Sequence, residues 1–228
     1  MSALAAELMM KEVELRPDLL FCAASGGSPT GLYQHMVDRY KESPQVIEEM
    51  RVIKLDEWVG LPEGSRFTSE YDIQQKLLKP IQHRPDRYIS FDELTLAPKD
   101  ECDRIQDELE KSGPIDVCIL GIGVNGHLAL NEPGEFLQTY CHVAELTEST
   151  LSHGMIQEVG IPLSHGMTLG MGNIFESKKI ILLITGKGKK EIVEKFLTQQ
   201  VTNTLPASLL WLHPNAEVIL DNEVLGEL

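Results

Sequence analysis

Short, wholly apolar runs alternate with amphipathic stretches from one end of this chain to the other. That alternation restricts the available folds more than any other feature. Leu19 to Ala24 is an apolar run of strand length, followed by Ser-Gly-Gly-Ser-Pro. A periodic stretch from Pro29 to about Lys41 then places Leu32, Met36, Val37 and Tyr40 on one helical face. Arg51 to Leu55 reads as a second strand and Ser69 to Leu78 as a helix stopped by Pro80. Pro98 to Ser112 is a charged helix with Ile105 and Leu109 inward, and Ile115 to Leu120 is the next buried strand. Lys179 to Thr185 is another strand, a helix runs from about Lys189 to Thr198, and Ala216 to Leu220 is the last strand. Strands that alternate with helices predict an α/β fold: a doubly wound, mostly parallel, Rossmann-like sheet with helices on both faces. No linker or low-complexity tract interrupts the pattern, so residues 1–228 are expected to form one α/β domain. The tetrapeptide Ser-His-Gly-Met occurs at Ser152 to Met155 and again at Ser164 to Met167; a spacing of twelve residues is too short for a solenoid unit, and the repeat reads as coincidence.

Charge narrows the partners. With 35 Asp plus Glu against 20 Lys plus Arg the formal net charge is −15, which leaves little material for the positive face that nucleic acid or an anionic membrane requires. No run approaches the roughly 18 apolar residues of a membrane span. Met1 to Glu14 carries Glu7, Lys11, Glu12 and Glu14 where a signal peptide would be apolar, so a cytoplasmic location is expected. Cys22 and Cys118 lie in apolar runs, Cys102 in a charged helical stretch and Cys141 in a polar loop. No CxxC or other metal spacing appears, and buried free thiols are expected.

In an open parallel sheet a ligand sits outside the carboxyl ends of the strands, so the residues just after each strand are the place to look for function. After the first strand, Ser25-Gly26-Gly27-Ser28-Pro29 can turn sharply and expose backbone N–H groups. Ser28 is placed to cap the following helix and Pro29 suits its first position, which reads either as a single-phosphate cradle or as a plain capped turn. After the second strand, Asp56 and Glu57 adjoin among Leu55, Trp58 and Val59; alternation sends the two carboxylates to different surroundings, one for general-base work and one for structure. Gly121, Gly123 and Gly126 match G-x-G-x-x-G literally. That fingerprint must open a helix, and Asn131, Pro133 and Gly134 forbid one here. What remains is a flexed loop that presents Asn125, His127 and Glu132, a histidine with a carboxylate near enough to orient or charge it. After the Lys179 strand, Lys187, Lys189 and Lys190 surround two glycines, either as a solvated basic cap or as the positive side of a phosphate site shared with Gly26 to Ser28.

Taken in order, Ser-Gly-Gly-Ser-Pro, Leu-Asp-Glu-Trp-Val-Gly-Leu-Pro, Gly-x-Asn-Gly-His-Leu-Ala-Leu-Asn-Glu-Pro, Met-Thr-Leu-Gly and Pro-Ala-Ser-Leu-Leu-Trp-Leu-His resemble the glucosamine/galactosamine-6-phosphate isomerase (deaminase) family from about Leu19 to about Leu220. The Asn-Gly-His loop, the following Asn-Glu-Pro-Gly-Glu and the Pro-Ala-Ser segment resemble the galactosamine branch more closely. The resemblance implies a hexosamine 6-phosphate substrate that is ring-opened, isomerised to a ketose and released as ketohexose 6-phosphate plus ammonia, without metal or organic cofactor. It implies that Asp56 moves the proton between C2 and C1, that His127 assists ring opening with Glu132 in its network, and that Gly26, Gly27, Ser28 and Lys189 hold phosphate, with Ser25 opening that loop. Two departures stand out. Asn125 occupies a position that is Asp in the glucosamine branch, which implies a shifted pH–rate profile or a different division of labour between His127 and Glu132. Ungapped alignment puts Ile156 where that branch has a phosphate-gripping arginine, and His153 falls there if one gap is allowed. Two rivals stay open. A 6-phosphogluconolactonase shares the fold but lacks Asn131-Glu132-Pro133, and a sugar-phosphate sensor would have no use for Asp56, His127 and Glu132 together.

Overall fold

The computed structural model describes residues 1–151 and 162–228. At its centre lies a six-stranded parallel sheet made of β1 (Leu20–Ala23), β2 (Arg51–Lys54), β4 (Tyr88–Ile89), β5 (Val117–Gly121), β8 (Lys179–Ile184) and β9 (Ala216–Leu220). Their spatial order is β4-β2-β1-β5-β8-β9. Side chains alternate across the pleat, so the apolar runs serve two cores at once. Leu20, Cys22, Cys118, Leu120, Ile180 and Leu182 face one layer with α4 (Pro98–Ser112), α6 (Met171–Phe175) and α7 (Lys190–Leu197). Phe21, Ala23, Val117, Ile119, Ile181 and Leu183 face the other, packed under α1 (Ser2–Leu15) and α2 (Thr30–Glu42). Each fully buried Leu, Ile or Phe contributes roughly 1.5–3 kcal/mol, which is why both faces must be covered.

Three parts of the architecture escaped the sequence reading. α1, read only as too charged for a leader, covers the sheet with Ala5, Met9 and Val13. The Ser69–Leu78 helix is one α turn, α3 (Ser69–Ile73), continued as a π turn over Gln74–Leu78. A second, antiparallel sheet of order β3-β7-β6 is built from β3 (Asp56–Trp58), β7 (His165–Thr168) and β6 (His142–Glu145). β7 contains His165 to Met167 of one Ser-His-Gly-Met copy; the other copy, with His153, and also Ile156, lies outside the described residues. α5 (Glu148–Leu151) follows β6, and α8 (Asn222–Glu227) ends the chain.

Strand order reverses between β1 and β5: β1 leads outward to β2 and β4, whereas β5 leads to β8 and β9 in the other direction. Loops leaving the two central strands therefore diverge and open a crevice at their carboxyl ends. Among the described residues, no helix is long and apolar enough to cross a membrane. Cys22, Cys102 and Cys118 are buried free thiols, and Cys141 is partly buried.

Candidate active site

A cavity of about 480 Å³ occupies that crevice. Its wall includes Ser25 to Ser28 after β1, Asp56 and Trp58 of β3, Gly121 at the end of β5 with Ile122 to Val124 and His127 after it, Thr150 of α5, Thr185 after β8, and Lys189. Four strand ends thus deliver the residues singled out from sequence. Ile122 to Gly134 contains no helix, so the glycine pattern there is a loop and not a dinucleotide fingerprint. Its glycines make room instead. Gly126 adopts a φ of +89°, and a Cβ on Gly123 would overlap the imidazole of His127. Asn131 pins this loop by donating to Leu128 O and Leu169 O, and Leu130 N donates to Thr168 Oγ1 of β7.

Alternation along β3 separates its two carboxylates. Asp56 points into the cavity beside Trp58, while Glu57 points away and is fully buried. Glu57 accepts hydrogen bonds from Trp58 N, Ser69 N, Glu70 N and Lys54 Nζ, the last at 2.8 Å between two groups with no solvent exposure. This is a structural clamp on the start of α3, in which the buried charge is paired and its oxygens are satisfied. Asp56 has the opposite situation. Burial first, then repulsion from Glu57, push its carboxyl up to about 6, partly offset by a hydrogen bond from Ser69 and by the charges of His127 and Lys54. A carboxylate with that proton affinity can both take and return a proton near neutral pH.

His127 stands on the cavity wall, whereas Glu132 and Asn125 sit behind it. His127 Nδ1 lies 3.4 Å from Glu132 Oε2, and Asn125 Nδ2 donates to the same oxygen at 2.8 Å. Thr150 Oγ1 donates to Glu132 Oε1 in a short contact and lies 3.4 Å from His127 Nδ1. Burial opposes ionisation of Glu132, yet the bonds and charge of His127 and the donors of Thr150 and Asn125 outweigh it and hold the carboxyl at about 2. Glu132 therefore stays anionic and orients the imidazole.

The anion side of the cavity differs from the sequence reading in three respects. Lys187 and Lys190 are exposed and do not line the cavity; Lys190 lies 3.7 Å from Glu194. Only Lys189 of the three reaches it, donating to Ile122 O at 2.8 Å, with desolvation lowering its proton affinity. Gly26, at φ +92°, spends its N–H on Asp72 Oδ2 and its carbonyl on Lys76 Nζ, and the N–H groups of Gly27 and Ser28 have no acceptor among the described residues. Ser28 does not cap α2: Pro29 takes that position, and Ser28 Oγ shares a hydrogen with Thr185 Oγ1. The result is a cradle of two N–H groups, three hydroxyls and one partly buried ammonium, a donor set suited to an anion.

Ser69, Thr150, Thr185 and Trp58 are the cavity or near-cavity residues that sequence reasoning passed over. Ser69 carried a faint signal as part of Thr68-Ser69-Glu70, a helix start in which Thr68 Oγ1 accepts from Tyr71 N. Thr150 carried none, because 18 positions separate it from Glu132.

An open parallel sheet with acid–base groups and an anion cradle gathered at its switch point has the layout of an α/β enzyme for an anionic substrate. The chain belongs to the family of glucosamine-6-phosphate isomerases/6-phosphogluconolactonase, whose pattern matches residues 3–220. It is 37% identical over 215 residues to the putative deaminase AgaI of Escherichia coli K12, covering 94% of this chain and 85% of that one. It is 32% identical over 225 residues to the glucosamine-6-phosphate deaminase of Thermoanaerobacter pseudethanolicus, covering 98% and 89%. Among solved structures, a monomeric glucosamine-6-phosphate deaminase of the NagB superfamily superposes with a TM-score of 0.92 at 29% identity, covering 100% of this chain and 95% of that one. The 6-phosphogluconolactonase of Trypanosoma brucei superposes at 0.75 with 20% identity, covering 100% and 94%, and shares the fold.

Proposed function

We propose that this enzyme converts a hexosamine 6-phosphate to ketohexose 6-phosphate and ammonia, with galactosamine 6-phosphate preferred and glucosamine 6-phosphate next. The observation that carries the reading is the pairing, in one cavity, of a carboxyl titrating near 6 at Asp56 with the His127–Glu132 dyad and the Lys189 cradle. The phosphate sits on Gly27 N–H, Ser28 N–H and Lys189. His127, held by Glu132, moves a proton to the ring oxygen and opens the sugar to its aldehyde. Asp56 removes the C2 proton as O1 takes a proton from solvent, giving an enol, and then delivers its own proton to C1, leaving an imine at C2. Water adds there and ammonia departs. Each step uses only side chains and solvent, and the setting is cytoplasmic.

The galactosamine preference is supported by the Asn-Gly-His and Asn-Glu-Pro-Gly-Glu motifs. Asn125 fits its place physically: its amide donates to Glu132, where a second carboxylate would repel. Ammonia release from each epimer, with Asp56→Asn as the blank, tests the reading. Turnover of the galactosamine epimer at the higher kcat/KM supports it. Hydrolysis of 6-phosphogluconolactone without ammonia release from either epimer would replace it with a lactonase. Binding with no turnover of any of the three would replace it with a sensor.

A further inference from the structure

Ser69 is fully buried at the start of α3, and two separate anchors hold it. Its backbone N–H donates to Glu57 Oε1 at 2.9 Å, which fixes the main chain without involving the side chain. Its hydroxyl donates to Asp56 Oδ1 at 3.2 Å and lies 3.0 Å from the hydroxyl of Ser25 in the cradle loop. A serine hydroxyl carries one hydrogen, and an ionised carboxylate only accepts. The bonds therefore run one way, from Ser25 to Ser69 to Asp56. Among the described residues, Ser69 is the side chain recorded as donating to the Asp56 carboxylate.

We propose that Ser69 is a positioning residue for the proton shuttle: its hydroxyl fixes the Asp56 carboxylate toward the cavity and ties it to the loop that receives the phosphate. The proposal rests on the functional reading above for its kinetic consequence, but its structural content stands apart from it. An Asp on a three-residue strand has a rotatable carboxylate. Ser69, itself immobilised through Glu57 and the buried Lys54, holds one oxygen and leaves the other for substrate. Among the described residues, the charged and titratable groups that act on Asp56 or are acted on by it are Lys54 of β2, Glu57 of β3, Cys22 of β1 and His127 of the β5 loop. None changes when the Ser69 hydroxyl is removed, so a shift in Asp56 reports the hydroxyl.

The test is a carbon-13 carboxyl titration of Asp56, assigned by its absence in Asp56→Asn, in the wild type, Ser69→Ala and Ser25→Ala. Loss of one hydrogen bond to a charged acceptor should raise the Asp56 midpoint by about one pH unit in Ser69→Ala, and Ser25→Ala should shift it less in the same direction. In parallel, kcat on hexosamine 6-phosphate should fall about tenfold, with KM within roughly twofold and the acid limb moved to higher pH. Ser69→Cys, close in size and a weaker donor, should lie between wild type and Ser69→Ala, and replaces the latter if it does not fold. An unmoved midpoint in the folded variants overturns the proposal, as does a loss confined to KM. A wild type that releases no ammonia overturns the functional reading alone, because the titration still decides the role of Ser69.

Discussion

At the residue scale, the site works by giving two carboxyls opposite environments. Among the described residues Asp56 has no cationic contact partner and is pushed up to about 6, while Glu132 is surrounded by donors and held at about 2. The activity of the wild type should therefore fall on acidification with a midpoint near pH 6, and Asp56→Asn should lower kcat by at least about 10³-fold, since it removes the base itself. A pH–rate profile with no acid limb between about 5 and 7 would sink that assignment. Glu132 bears on stability as well as chemistry. Its folded pKa lies below the unfolded value of 4.5, so its contribution is fully present above pH 4.5 and lost as pH falls toward 2. Thr150→Val removes a donor to this anion and should cost about 1–2 kcal/mol at pH 7 but much less near pH 2. Urea unfolding at both pH values measures this, and a cost independent of pH would reduce Thr150 to a packing residue.

At the element scale, loops and short strands do the placing. The loop after β5 keeps glycine at position 123 because the His127 ring occupies the space of any Cβ there. Gly123→Ala should consequently displace the imidazole and lower kcat by about 10² or more, while the melting temperature changes by only a few degrees. Wild-type kcat in this variant would show that the ring can move without penalty. β3 illustrates what was and was not readable. Adjacent carboxylates at a strand end, sent to different surroundings, were legible from alternation alone. The partners were not, because β3 pairs with β7 some 110 positions away in sequence, and because Glu57 finds Ser69 N and Glu70 N through a tertiary turn. The capping role expected of Ser28 failed for a related reason: Thr185, from a strand two places across the sheet, offers its hydroxyl a partner that the local helix end does not.

At the scale of the whole molecule, a chain of net charge −15 must keep one small region receptive to an anion. The donors gathered there among the described residues are the partly buried ammonium of Lys189, the N–H groups of Gly27 and Ser28 and the hydroxyls around them, while Lys187 and Lys190 stay in solvent. Ligand linkage gives the corresponding prediction. Substrate at 100 times its Kd should stabilise the Asp56→Asn protein by about 2.7 kcal/mol, read as a rise in melting temperature. Adding Lys189→Ala should remove most of that rise at the same concentration. An undiminished shift would place the phosphate elsewhere.

By itself the sequence determined the class of fold and the inventory of chemistry. Apolar runs of strand length between amphipathic helices leave a two-faced parallel sheet as the arrangement that buries them all, and glycines and titratable side chains just after strands mark where a ligand fits. Tertiary structure alone decided which of those groups meet. Side chains such as Thr150, with no local mark, and Ser69, marked only as part of a helix start, became partners of Glu132 and Asp56, and two of three lysines were turned away. Periodicity is a local property read along the chain, whereas a hydrogen bond depends on where distant segments end in space, and the strand order that brings them together is settled only when both faces of the sheet are packed.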